Sequence, residues 1–380
     1  MTVGSQTSQR ALPIEVQSTG GRKNEGSYIV RLKPGVDKAA FLAGFKQRLG
    51  GNSVVTHDYP ADFSNSFAGR FDEEALRILR SSADVERISE DAVGGELSVI
   101  TVENDASWSL NRIGQRAKLP FTYTYESDAL GKDVDIYIMD TGINIDHVEF
   151  GGRAKWGWAA PGLPLIDDVG HGTQVAGIAG GTRWGVAKEA NVIAVKTHSK
   201  DKRATVADVL AAMGYIFTAS KSRKAVVNMS FGFVPAQPEV DDGVAKLTAN
   251  GIYVCAAAGN GATDAKGTSP ARAASAITVA ATDVEDRRFY TSNYGSAVTL
   301  FAPGAAITTA TIESNTALAQ LSGTSAACPH VAGFVAASIG YFGVPNPAKM
   351  KELIQQWATP GMVTDIPEGT PNLLLYNLSR

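Results

Sequence analysis

Val134-Asp135-Ile136-Tyr137-Ile138-Met139, ending in Asp140-Thr141-Gly142, is the stretch whose reading decides the fold. A nearly unbroken run of strand-forming residues reads as a strand buried on both faces, the habit of parallel sheets. Working outward, similar strands are expected at Asn191–Lys196, Ala225–Met229, Ile252–Ala256 and Ile277–Ala281. Helical segments such as Thr205–Ser220 and Glu239–Ala249 lie between them. Strands alternating with helices imply an α/β domain whose parallel sheet is covered by helices on both faces. Its crossover connections should be right-handed. In such sheets chemistry gathers at the carboxyl ends of strands, so Asp140 is a candidate functional residue.

Two further segments supply candidates of complementary chemistry. In Asp167-Asp168-Val169-Gly170-His171-Gly172-Thr173, His171 opens a helix of small residues. In Gly323-Thr324-Ser325-Ala326-Ala327-Cys328-Pro329-His330, Ser325 opens an apolar helix. Gly323 permits a sharp turn, and Thr324 or Ser322 is expected to cap the helix. Pro329 is expected to break or kink it. A serine at the positive end of a helix dipole suits a nucleophile whose product is an oxyanion. Serine needs a base to act. Imidazole, titrating near neutral pH, can take the proton and return it. A carboxylate can hold the imidazole's tautomer. Val254-Cys255-Ala256-Ala257-Ala258-Gly259-Asn260 reads as a strand delivering Asn260, whose amide can donate to the oxyanion. Ser230-Phe231-Gly232 follows another strand and offers an edge to an extended peptide.

These pieces together resemble the subtilases, the subtilisin-like serine proteases of peptidase family S8, and among them the proteinase K group. The resemblance rests on Asp140-Thr141-Gly142-Ile143, His171-Gly172-Thr173, Asn228-Met229-Ser230-Phe231-Gly232, Ala257-Ala258-Gly259-Asn260 and Gly323-Thr324-Ser325, and runs from about Ser107 to the C-terminus. The chain order Asp, His, Ser is that of subtilisin. The resemblance implies a serine endopeptidase with Asp140, His171 and Ser325 as triad and Asn260 in the oxyanion hole. It also implies that Ser230, Phe231, Gly232, Ala257, Ala258 and Gly259 wall the first specificity pocket. An esterase of the α/β-hydrolase type is excluded, because no Gly-x-Ser-x-Gly elbow surrounds Ser325. The competing reading is a catalytically weak pseudo-protease that acts as a peptide-binding or regulatory module.

The chain has 380 residues, 44% of them hydrophobic, and a net charge of −3, the balance of an ordinary globular protein. No basic arm interleaved with aromatics points to nucleic acid, and no apolar run points to a membrane span. Residues 1–26 are polar and read as a disordered tail. They lack the apolar core of a secretory signal, which suggests an intracellular protein, although such proteases are often secreted or vacuolar. Residues 27–97 show the order β-α-β-β-α-β, a small ferredoxin-like α+β domain. It resembles the inhibitor I9 prosegment of subtilases, so residues 98–380 form the catalytic domain. The resemblance implies a self-processing zymogen cut between Gly95 and Asn104, with the prosegment as intramolecular inhibitor. A monomer with protein or peptide substrates is expected.

The chain also departs from the family's pattern. Gln174 stands for a usual histidine, Ala326 for a usual methionine, and Phe233 where glycine is frequent. Thr197-His198-Ser199-Lys200-Asp201-Lys202-Arg203-Ala204 replaces a glycine-containing substrate strand. Its charges read as a solvated face; the other reading is a groove biased against cationic peptides. No cofactor is required. Relatives bind a structural calcium through a carboxylate where this chain has Thr299, which leaves that site short of a ligand. No Cys/His cluster has zinc spacing. Cys255 and Cys328 read as small buried hydrophobes, and His147 and His330 as structural. His57 falls in the prosegment.

Overall fold

The structure, a computed structural model, describes residues 14–17, 23–60, 64–92, 100–103, 106–117, 123–126, 130–221, 223–343 and 346–377. The chain divides into two compact units, Met1–Glu96 and Leu97–Arg380.

The small unit comprises β1 (Val16–Gln17), β2 (Lys23–Leu32), α1 (Lys38–Lys46), β3 (Val54–Asp58), β4 (Ser66–Arg70), α2 (Glu73–Arg80) and β5 (Val85–Ala92). Asp37 and Asp72 cap the two helices, each accepting from the backbone N–H three residues on. The sheet order is β1-β5-β2-β4-β3. Strands β2 to β5 pair antiparallel, the ferredoxin-like arrangement. Phe45, Phe67, Leu79 and Ile88 are wholly buried between sheet and helices. The stretch expected to be a tail differs. Strand β1 lies within it and runs parallel to β5, with Val16 opposite Ile88, and β2 begins at Lys23. Ile14 and Val16 pack on the small core, which is the apolar contact a polar tail would lack. Residues 1–13 and 18–22 lie outside the described residues.

The larger unit opens with β6 (Ile100–Glu103), α3 (Trp108–Ile113), β7 (Tyr123–Glu126), β8 (Val134–Asp140), β9 (Ala154–Ala159) and α4 (His171–Gly180). Next come β10 (Asn191–Lys196), α5 (Val206–Ala219), β11 (Lys224–Met229), α6 (Pro238–Ala249), β12 (Tyr253–Ala257) and β13 (Ile277–Thr282). It ends with β14 (Leu300–Pro303), β15 (Ile307–Ala310), β16 (Leu318–Leu321), α7 (Thr324–Phe342), α8 (Pro347–Trp357), β17 (Thr359–Pro360) and β18 (Leu373–Leu374). A nine-stranded sheet has the order β17-β18-β14-β13-β12-β11-β8-β10-β9. Every pairing in it is parallel except β17 with β18. The five parallel strands and two helices expected from the pattern each begin and end within one residue of their expected bounds.

Successive side chains of a strand point to opposite faces, and β8 uses both. Val134, Ile136 and Ile138 enter the core that holds Val175, Ala176 and Ala179 of α4 and Val331, Ala332 and Val335 of α7. Tyr137 and Met139 enter the core under α5 and α6, against Val209, Met213 and Val240. By this parity Asp140 points to the face that α4 and α7 cover.

Pro329 does not break its helix. Helix α7 runs 19 residues through it. A proline at that position leaves the carbonyl four residues earlier, that of Ser325, without its helical N–H. The Ser230 hydroxyl donates to that carbonyl at 3.1 Å and replaces the lost bond. Neither expected hydroxyl caps α7. Its N-cap is Gly323, at φ 116°, with no side-chain cap. Ser322 Oγ accepts instead from the Ala306 N–H, and Thr324 Oγ1 from the Gly259 N–H.

Candidate active site

Asp140 is wholly buried at the end of β8. Its Oδ1 accepts from the Thr141 N–H at 2.8 Å and lies 2.8 Å from His171 Nδ1. An ionised carboxylate only accepts, so the His171 proton sits on Nδ1 and Nε2 is left as a base. Burial disfavours the charged form of both groups, yet their mutual attraction prevails. The Asp140 carboxyl is held below its usual range, and the His171 imidazole above the usual histidine value.

A second layer of groups sets this pair. Asp167 Oδ1 accepts from Thr141 Oγ1 and the Gly170 N–H, and its Oδ2 from both the N–H and the hydroxyl of Thr173. It thereby ties the turn after β8 to the first turn of α4. Gly172 lets these elements meet, since a Cβ there would lie 2.1 Å from the Gly142 carbonyl oxygen. Lys196, wholly buried at the end of β10, donates to the carbonyls of Thr141 and Ile166 and to Asp168 Oδ1, at 2.5–2.8 Å. Sequence reasoning assigned Asp167, Asp168 and Lys196 no role. The signal was present: a lysine closing a strand buried on both faces needs an anionic partner.

Ser325 is the second residue of α7, in the turn whose N–H groups have no helical acceptor. Its hydroxyl donates to the Ser230 carbonyl oxygen at 3.0 Å. Ser230 Oγ in turn accepts from Asn228 Nδ2 at 2.9 Å. Asn260 Oδ1 accepts from the Thr324 N–H at 2.9 Å. That bond fixes the amide and leaves Nδ2 to donate. These groups border a cavity of about 360 Å³. Ser230, Phe231 and Gly232 form one wall, Ala257 and Gly259 another, and Asn260, Thr324 and Ser325 are also in the lining. Among the described residues, no charged side chain lines it. Ala258 differs from expectation: it is wholly buried among Ala265, Ala271 and Phe301 and is not part of the lining. Ala258 lies just past the end of β12, where its N–H donates to the Val279 carbonyl at 2.9 Å.

In the departing stretch, Lys200, Asp201 and Arg203 are exposed, and Lys202 pairs with Asp208 at 2.9 Å. His198 is the exception, with its ring against Phe231 and its Nε2 3.9 Å from Asp140 Oδ1. Phe233 exchanges backbone hydrogen bonds with Ser269 and meets the Phe231 ring edge-on. The Gln174 carbonyl accepts from Thr309 Oγ1. His147 and His330 are buried and bound to backbone carbonyls, of Ala317 and Ala326. Burial lowers the His330 pKa to about 4. Cys255 and Cys328 are free, buried thiols with raised pKa values, far from the thiolate a nucleophile needs. His57 is exposed in β3. Thr299 is buried, and its hydroxyl accepts from the Thr278 N–H. Among the described residues, no three His, Cys, Asp or Glu side chains gather as metal ligands.

The chain is similar to known proteins. The subtilase family pattern matches residues 131–372. Alkaline protease 1 of Aspergillus clavatus is 35% identical, over 93% of this chain and 91% of its own length. The subtilase-type proteinase psp3 of Schizosaccharomyces pombe is 39% identical, over 92% of this chain and 82% of its own length. The crystal structure of a cold adapted subtilisin-like serine proteinase superposes with a TM-score of 0.66 at 36% identity, covering 73% of this chain and 100% of the other. With the sheet, the Asp140–His171 pair and the serine-bordered cavity in the same chain, this protein belongs to the subtilase family of subtilisin-like serine proteases.

Proposed function

We propose that the chain is a serine endopeptidase that uses Asp140, His171 and Ser325 as its catalytic triad and is made as a self-processing zymogen. The observation that carries this reading is the 2.8 Å Asp140–His171 bond on the sheet face where α7 sets Ser325 beside an uncharged cavity. His171 Nε2 takes the Ser325 proton as Oγ attacks the peptide carbonyl. Rotation about the Ser325 Cα–Cβ bond turns the hydroxyl from the Ser230 carbonyl to that base, as free enzymes commonly require. Asn260 Nδ2 and the Ser325 N–H hold the oxyanion. His171 then protonates the leaving amine, and a water deprotonated by the same base attacks the acyl-enzyme, releasing the acid and restoring the Ser325 hydroxyl. The Ser230–Gly232 edge receives the peptide as an added strand, and the uncharged lining favours an uncharged side chain in the cavity.

The small unit is proposed to be the inhibitory prosegment, released by an intramolecular cut. Expectation places the cut between Gly95 and Asn104. Residues 93–99 and 104 lie outside the described residues, while Ile100–Glu103 is paired with Tyr123–Glu126. A cut before Ile100 leaves that pairing whole. In a mass spectrum the wild type should lose about a quarter of its length and start between Gly95 and Ile100. Ser325→Ala should stay at full length. The cleavage rate should not change on dilution, because a tethered substrate has a high effective concentration. A full-length wild type already active on peptides would overturn the zymogen reading and favour a fused regulatory domain.

A further inference from the structure

We propose that His198 is a positioning residue for the triad, a second imidazole that acts on Asp140 and holds down the basicity of His171. The inference rests on the assignment of Asp140 and His171 above. His198 follows β10, and the preceding N–H, that of Thr197, donates to the Asp140 backbone carbonyl at 2.9 Å. The ring is held on two sides. Its Nδ1 lies 3.0 Å from the buried Thr197 hydroxyl, and its edge meets the Phe231 ring at a centroid distance of 5.7 Å. Its third side presents Nε2 to Asp140 Oδ1 at 3.9 Å. The Asp140 charge selects the tautomer that carries its proton on Nε2, which makes Nδ1 the acceptor for the Thr197 hydroxyl. Two imidazole N–H groups therefore converge on one carboxylate, whose Oδ2 is buried and without a partner.

The consequence for His171 has a definite sign. Asp140 raises the His171 pKa by attracting the imidazolium. An N–H dipole from His198 aimed at the same oxygen screens that attraction. Burial holds the His198 pKa below the usual histidine value, so its ring is neutral while His171 titrates. The dipole therefore moves the His171 pKa down from where Asp140 alone would set it. The charged groups facing His198 are Asp140 from β8, His171 from α4, Lys196 from β10 and Asp167 from the loop before α4. Lys196 is itself paired with Asp168, and Asp167 is committed to Thr141, Gly170 and Thr173. Asp140 and His171 are left as the dominant neighbours.

The test follows the imidazole nitrogens by NMR in the Ser325→Ala protein, which cannot digest itself, together with kcat/KM against pH in the active enzyme. The His171 midpoint should lie above about 6.5. His198→Leu should raise it by about half a pH unit, so that on the acid limb activity relative to the plateau falls about threefold. His198→Gln, which keeps an N–H near the Nε2 position, should bring the midpoint back toward the wild type. A midpoint in the Leu variant equal to or below the wild-type value would overturn the proposal and leave His198 as a wall of the cleft. Should the Leu variant not fold, the wild-type titration decides. Rings that share a carboxylate each show both titration steps, whereas independent single steps refute the coupling. The NMR midpoints report on His198 even if Ser325 proves not to be the nucleophile, so the two readings fail separately.

Discussion

Ser325→Ala is expected to reduce casein hydrolysis by about 10⁶-fold in kcat, the order that loss of a triad serine costs. Labelling by a fluorophosphonate probe should vanish with it. The size follows from what remains. Without Oγ there is nothing for His171 to deprotonate, and only binding and oxyanion stabilisation persist. His171→Ala should cost a comparable amount and Asp140→Ala less, about 10⁴-fold, because the carboxylate only orients and stabilises the imidazole. The substitution removes one oxygen from a half-buried position and leaves the Ser325 carbonyl with its Ser230 partner. The variant should therefore fold, and circular dichroism will show whether it does. Wild-type turnover in a folded Ser325→Ala protein would mean that the nucleophile lies elsewhere.

Asn260→Ala should lower kcat by about 10²–10³, equivalent to about 3–4 kcal/mol, with KM little changed. The amide gives its oxygen to the Thr324 N–H, and in the proposed role its Nδ2 meets a charge that exists only during reaction. A bond made only in the transition state moves kcat and not ground-state affinity. The reverse pattern, a raised KM at constant kcat, would assign Asn260 to substrate binding.

The frame of the larger unit was legible because β8, β10, β11 and β12 are apolar on both faces and need helices on each side. Asp140, His171, Ser325 and Asn260 stand out in the sequence as candidates because each sits at a strand end or helix start, marked by small residues. What could not be read was the traffic of hydrogen bonds between distant segments. Thr324 and Ser322 look like caps in one dimension, but their hydroxyls serve loops brought near only by folding. Lys196 and Asp168 are 28 residues apart, and nothing local announces their pairing. Ala258 shares a motif with two lining residues, yet it packs inward in the cluster of Ala265, Ala271 and Phe301. His198 sits in a stretch dominated by exposed charges, and that company hid its position beside Asp140.

Pro329 bears on how the larger unit fluctuates. With no N–H of its own to close the first turn of α7, it makes the start of that helix depend on Ser230. The two serines are joined by reciprocal bonds, each hydroxyl to the other's carbonyl. Neither segment can then fray alone without stranding a partner in the other. Local openings in native proteins follow such shared contacts. Amide hydrogen exchange should find the start of α7 and the segment after β11 protected to the same degree, as one cooperative unit. Protection that differs strongly between them would show that the serine pair does not couple them. A helix free of proline would be locally more secure and would loosen this tie, so the sequence trades regularity at one helix start for two cavity walls that open and close together.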